Sequence, residues 1–339
     1  MISLGRLIAT LFAAVVLVPP AHAQNAASPP AAGILVYNAQ HAALTEAWAS
    51  AFSAETGIKV TIRQGSDTLL GNQIVQEGTA SPADVFITEN SPAMVLVAKA
   101  GLFAPLSKAT LALVPETFRP ADGSWVGVAA RSTVFAYNKA KLTPDKLPKS
   151  MLDLSEPAWK GRWGAAPSGA DFQAIVGALL QLKGEPTPAA WLKALKAGAV
   201  VYRGNGNALR GVNIGEVEGA IIYHYYYFGD QDKTGENSNN VGLHYFRNGD
   251  PGAFLSVSGA GVLASSKNKV AAEAFVAWIA GKGGQTVLRT GTSFEYAIGV
   301  GAEAHPRLEP IAKLGAPRVE PATLDSQKVT QLMTAAGLL

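Results

Sequence analysis

The run "IIYHYYYFGD", residues 221–230, sets four phenols and an imidazole side by side at Tyr223, His224, Tyr225, Tyr226 and Tyr227. A tyrosine ring suits a core, but its hydroxyl needs a hydrogen-bond partner once buried. On a regular strand, Tyr223, Tyr225 and Tyr227 would face away from His224 and Tyr226, and a two-faced aromatic strand is the plain structural reading. For adjacent tyrosines to serve one site, the chain must leave strand geometry here, and Gly229 and Asp230 predict a turn just downstream. Two other strand ends carry polar groups: His41 follows "ILVYNAQ" and Glu89 follows "ADVFIT". Taken singly, a histidine before a helix is usually a cap or surface group, and "TENSP" is an ordinary helix start. Combined, imidazole, carboxylate and two phenols make a donor set without a soft atom, suited to a hard trivalent cation such as Fe3+. Two phenolates and a carboxylate would neutralise such an ion. A free phenol has a pKa near 10, so only a strongly charged metal would hold both deprotonated at neutral pH. Zinc sites rarely use two tyrosines.

These residues need a scaffold that brings distant strand ends together. "ILVYNAQ" reads as a buried strand, and "LTEAWASAFSAETG" as a helix with Leu44, Trp48, Ala51 and Phe52 on one face and Gly57 as its stop. "IKVTIRQ" alternates as a strand, "TLLGNQIVQEG" is helical, and "ADVFIT" is again a buried strand. "SPAMVLVAKAGLFAPL" predicts a helix with Ser91 as N-cap and Pro92 in its first turn. The alternation implies a largely parallel sheet covered on both faces. Later, "VGVAARSTVFAYN" is strand-rich, "FQAIVGALLQL", "AWLKALKAG" and "VAAEAFVAWIAG" are helical, and "VFAYN" and "LSVSGAG" are candidate strands crossing between two α/β lobes. "PSGADFQAIVGALL" predicts a helix start with Ser168 as N-cap and Asp171 as its capping-box partner. In open α/β sheets, ligands sit beyond the carboxyl ends of strands, where His41, Glu89 and the tyrosine run all fall.

The chain has 339 residues, enough for one large or two ordinary domains with cores, and a formal charge of only +3 with no basic stripe, which gives no support to a nucleic-acid role. Cysteine is absent, excluding disulfides, thiolate metal sites, cysteine catalysis and a lipid-modified cysteine. Arg6, the apolar run Leu7 to Val18 and the "AHA" of Ala21 to Ala23 predict a secretory signal over residues 1–23, too short to anchor in a membrane. "QNAASPPAAG" reads as a flexible mature N-terminus. A secreted, untethered, disulfide-free chain points to the bacterial periplasm.

The sequence resembles the periplasmic ferric-iron-binding proteins of ABC importers, the bacterial transferrins. The resemblance runs over nearly the whole mature chain, through "VYNAQH", "ETGIKVTIRQGSD", "NQIVQEGTASPADVFITENSPA", "WKGRWGAAPSGADF", "HYYY" and "HYFRNGDPGAFLSVSGAGVL". It implies a two-lobed periplasmic solute-binding fold of α/β class with hinge strands and a ligand cleft. Residues 33–133 with 257–305 would form the first lobe, and 134–256 with 306–339 the second. It implies Fe(III) as cargo, His41, Glu89, Tyr225 and Tyr226 as metal ligands, and a synergistic anion such as phosphate or carbonate at Ser168, Gly169, Ala170 and Asn205. Many members carry asparagine two residues before the tyrosine pair. Here that position is Tyr223, a further candidate ligand or anion contact, so the expectation is an altered anion site. The implied partner is an inner-membrane ABC permease, and the implied receptor is a monomer with no membrane anchor, no nucleic acid and no enzymatic activity. Two alternatives stand beside it. A binding protein for a polyamine, thiamine or phosphorylated solute would not need four metal donors. A secreted hydrolase would need a nucleophile near His224, and the sequence has no G-x-S-x-G, H-E-x-x-H or P-loop.

Overall fold

The computed structural model describes Met1 and residues 33–339, so the signal at residues 1–23 and the stretch up to residue 32 lie outside it. From Gly33 the order is β1 (Ile34–Asn38), α1 (Ala42–Thr56), β2 (Val60–Gln64), α2 (Asp67–Glu77), β3 (Val85–Ile87), α3 (Ser91–Lys99) and a short α4 (Lys108–Leu111). Then come β4 (Val126–Asn138), β5 (Trp163–Ala165), α5 (Ala170–Lys183), α6 (Pro186–Gly198), β6 (Val200–Val201), α7 (Asn205–Asn213) and β7 (Gly219–Tyr223). The chain closes with α8 (His224–Lys233), β8 (Val241–His244), β9 (Leu255–Val262), α9 (Lys269–Ala280), α10 (Lys282–Thr290), α11 (Ile311–Leu314) and α12 (Ser326–Ala335). None of the described helices is long and apolar enough to cross a membrane.

The strands line up as β2-β1-β3-β9-β4-β7-β5-β6, with β8 also on β4. The expected parallel pairing holds in the outer parts, where β1 pairs with β2 and β3, and β5 with β6 and β7. It fails in the middle: β9 is antiparallel to β3 and β4, and β4 is antiparallel to β7 and β8. The reason is connectivity. β4 carries the chain out of the first group of strands and β9 carries it back, so each runs against the strands built by helix crossovers. β4 is thirteen residues long and buried at all but one position, as a strand covered on both faces must be. Its last pair with β9 is Ser132 with Leu255, and its first with β7 is Thr133 with Tyr223. The handover between the two halves thus falls between adjacent residues.

Local chemistry explains the site-bearing ends. In α1, Leu44, Trp48 and Phe52 recur every fourth residue and are buried against Phe275 and the aliphatic side chains of β1 and β3. Burying each such side chain contributes about 1.5–3 kcal/mol. Gly57 ends the helix at φ 73°, a left-handed geometry open to glycine. Parallel pairing of Asn38 with Ile87 brings the ends of β1 and β3 side by side, and with them His41 and Glu89.

Three local expectations need correction. Ser91 is the first residue of α3; Asn90 holds the cap position and turns its side chain elsewhere. Gly229 and Asp230 lie inside α8, and the turn comes later, where Gly235 takes φ 71° while the Asp230 carboxylate accepts from Asn237 and Ser238. Ser168 and Asp171 form no capping box: Gly169 caps α5 without a side-chain bond, because the Asp171 carboxylate is engaged across the cleft.

Candidate metal centre

Each of the four sequence-predicted donors stands on a short, well-braced segment. His41 occupies the N-cap position of α1 but makes no capping bond, which leaves both ring nitrogens for other partners. Its backbone N–H donates to Gln40 Oε1 at 2.7 Å, and Thr45 Oγ1 donates to Asn38 Oδ1 at 2.9 Å, tying the loop to the strand before it. The loop bearing Glu89 is held by buried Asp67 at the start of α2, whose two oxygens accept from the N–H groups of Glu89 and Asn90 at 2.9 Å each. Tyr225 and Tyr226 lie in the first turn of α8. The chain leaves strand geometry after Tyr223, and the helix lets neighbouring phenols stack, with ring centroids 4.3 Å apart at 29°.

The structure brings all four together. His41 Nε2 lies 3.3 Å from Glu89 Oε1, and the Tyr225 hydroxyl donates to that same oxygen at 3.0 Å. The His41 and Tyr225 rings meet edge to face at 4.9 Å. A cleft of about 560 Å3, lined by His41, Tyr225, Tyr226, Gly206, Asp230 and Ser293 among others, opens on this group.

A fifth group stands beside these four that local sequence pattern marks only as a helix cap. Asp171 is buried, and its Oδ2 accepts from Tyr226 at 3.2 Å and from Asn205 Nδ2 at 2.8 Å and lies 3.3 Å from the Tyr225 hydroxyl, whose one proton it shares with Glu89, while Oδ1 accepts from Asn90 Nδ2 at 3.1 Å. A legible signal existed: Asp171 shares a helical stripe with Ala174, Ile175 and Ala178, all buried, and an acid on a buried stripe calls for a partner. Arg131, a lone cation in the apolar run of β4, was passed over in the same way, and so was Glu295.

The residues expected to hold an anion divide. Asn205 reaches the group through Asp171. Ser168 is exposed, and Ala170 borders a separate cavity of about 640 Å3 together with Asp67, Asn90 and Gln173. Tyr223 is fully buried beneath the site, its hydroxyl 3.2 Å from the Asp171 carbonyl and 3.4 Å from Asn90 Oδ1, which share its one proton. His224 is likewise buried, accepting from the Ser132 N–H at 3.1 Å and stacked on Tyr296 at 4.8 Å, so it packs rather than ligates.

The electrostatics are those of shared protons. Burial disfavours the imidazolium of His41, but hydrogen bonds to Glu295 and Glu89 outweigh it and raise the pKa to about 10. Burial would raise Glu89, yet His41 and Arg131 win and hold it near 2. Asp171 is pushed up to about 7 by burial and then by the Glu89 charge. Burial, followed by Asp171 and Glu89, raises both Tyr225 and Tyr226. Protons on the phenols and imidazole thus knit the carboxylates together. Phenolate and carboxylate oxygens with one imidazole favour a hard, highly charged cation.

Known proteins are similar to this chain along most of its length. The bacterial extracellular solute-binding protein family matches residues 38–286. The chain is 61% identical over 307 residues, 91% of either chain, to the Fe(3+)-binding periplasmic protein of Serratia marcescens. It is 40% identical over 321 residues to the major ferric iron-binding protein of Neisseria meningitidis serogroup A, covering 94% of this chain and 97% of that one. Among solved structures, iron-bound HitA from Pseudomonas aeruginosa superposes with a TM-score of 0.86 at 42% identity, covering 91% of this chain and all of the other. A mixed α/β scaffold with its polar donors gathered beyond the strand ends, matched by a family profile over most of its length, leaves one assignment: the chain belongs to the bacterial extracellular solute-binding proteins.

Proposed function

We propose that the protein is a periplasmic receptor that captures ferric iron in this cleft and delivers it to an inner-membrane ABC permease. The observation that carries the reading is the convergence of two stacked phenols, an imidazole and two carboxylates within hydrogen-bond reach of one another. The ferric-iron names of the Serratia and Neisseria relatives, and the iron-bound Pseudomonas structure, support the choice of cation. In this reading His41, Glu89, Tyr225 and Tyr226 ligate the ion. Asp171 supplies a fifth donor where an external anion was expected near Ser168, Gly169 and Ala170, and phosphate or carbonate is then not required. Tyr223 braces Asp171 from below instead of ligating. The first lobe, 33–133 with 257–305, contributes His41 and Glu89, and the second, 134–256 with 306–339, contributes the tyrosines and Asp171. The change of pairing partner on β4 at Ser132 and Thr133 supports a division there. The role is binding without chemistry on the cargo.

The test is optical. Fe3+ bound to phenolate should give a broad visible charge-transfer band that the metal-free protein lacks. Tyr225→Phe and Tyr226→Phe each remove one anionic donor while keeping the ring, so each should weaken iron binding severely and shift or bleach the band. A double Phe variant with wild-type colour and iron content would refute the assignment.

A further inference from the structure

We propose that Glu295 is a positioning residue that fixes the His41 ring, keeping a proton on Nδ1 so that Nε2 is the nitrogen presented to the metal. The inference rests on the iron-site reading above. Glu295 has no exposed surface, and its Oε1 lies 3.0 Å from His41 Nδ1. The opposite ring nitrogen, Nε2, is the one facing Glu89 Oε1 at 3.3 Å. A carboxylate behind one imidazole nitrogen holds a proton there and frees the other for a cation.

The brace is itself held on several sides. Glu295 Oε2 accepts from Arg131 Nη2 at 2.9 Å and from Gln40 Nε2 at 3.1 Å. Arg131 Nη2 also donates to Gln40 Oε1 at 2.8 Å, and its other terminal nitrogen donates to the Glu89 carbonyl. The same guanidinium therefore touches the backbone of one proposed ligand and the carboxylate behind another. The preceding residue supports a functional placement. Phe294 adopts φ 53°, a left-handed geometry that a bulky side chain rarely takes, while its ring is buried against Phe228 and His305. Backbone conformations of this kind persist where the surroundings over-determine them, and they cluster at functional sites. Here the conformation turns the Glu295 side chain into the buried space behind His41.

The chemistry yields a discriminating substitution. Glu295→Gln keeps the shape but makes the two ends unlike. Arg131 and Gln40 offer only N–H groups to Oε2, so the new amide must turn its oxygen toward them and its NH2 toward His41. Nδ1 then has to accept, the ring proton moves to Nε2, and the wrong nitrogen is left bare. In a titration against a competing chelator, Glu295→Gln should lower Fe3+ affinity about 10- to 100-fold. His41→Gln should lower it at least as much, and the double variant no further than His41→Gln alone. The direct readout needs no variant: the 15N spectrum of wild-type protein loaded with diamagnetic Ga3+ should show His41 protonated on Nδ1 and metal-bound on Nε2. Metal on Nδ1, or wild-type affinity in a folded Glu295→Gln protein while His41→Gln is weak, overturns the role of Glu295. Wild-type affinity in His41→Gln overturns the ligand assignment, and the positioning role falls with it.

Discussion

Metal capture in this cleft is an exchange of protons for iron, and the number of protons can be counted group by group. Near pH 7 the metal-free site holds one ionisable proton on His41, whose pKa lies near 10, and one on each of Tyr225 and Tyr226, both raised. Asp171, raised to about 7, holds part of a further proton, while Glu89, near 2, has none to give. Binding at pH 7 should thus release about three to four protons, and about four as the pH falls and Asp171 takes up its own. The sign is fixed: the metal-free form holds more protons, so acid favours it, and affinity climbs with pH. The apparent binding constant should fall by roughly six to eight decades between pH 7 and pH 5, with iron lost over that window. Proton release can be measured in weak buffer on adding ferric nitrilotriacetate, after subtracting the chelator's own proton uptake. Tyr226→Phe should lower the count by one. Release of fewer than two protons at pH 7 would mean that the phenols stay protonated in the complex, and the counting argument would fail.

Other perturbations address separate parts of the structure. Asp171→Asn removes a charge from beside both tyrosines; a unit-charge contact at about 4 Å in a partly screened site is worth roughly 4 kcal/mol, so affinity should drop by about three decades or more. The same variant should regain part of that loss with added phosphate, whereas the wild type should be indifferent to it; chelator competition in both proteins checks this. Gly284→Ala would set a methyl group 2.3 Å from the Ile279 backbone, which cannot swing aside as a side chain can. It should cost about 1–3 kcal/mol in urea unfolding of the metal-free protein and leave the colour per folded molecule unchanged.

How much was legible in the sequence depended on whether a residue signalled through its neighbours or through distant partners. The strands ending at His41 and Glu89 and the helix marked by Leu44, Trp48 and Phe52 came from local periodicity, and all three formed as read. The departure from strand geometry at the tyrosine run was anticipated, but a turn was placed at Gly229 when the chain instead enters α8. Asp171 was misread because a local cap and a cross-cleft acceptor look alike in sequence; only the approach of Asn90, Asn205 and two phenols tells them apart. Glu295 lies more than 250 positions from His41 and follows no regular element, so no period or spacing pointed to it. The central antiparallel strands escaped for a similar reason: direction depends on where the chain returns.

The handover on β4 has a mechanical consequence. Ser132 and Thr133 belong to different neighbours, and Arg131, one residue before them, reaches both Glu89 and the carboxylate behind His41. Were one half to swing against the other, it would turn about these residues, beside the groups that touch Glu89 and Glu295, and the rim farthest from them would move most. A partner resting on that rim would sense whether the cleft is shut without ever touching what it contains.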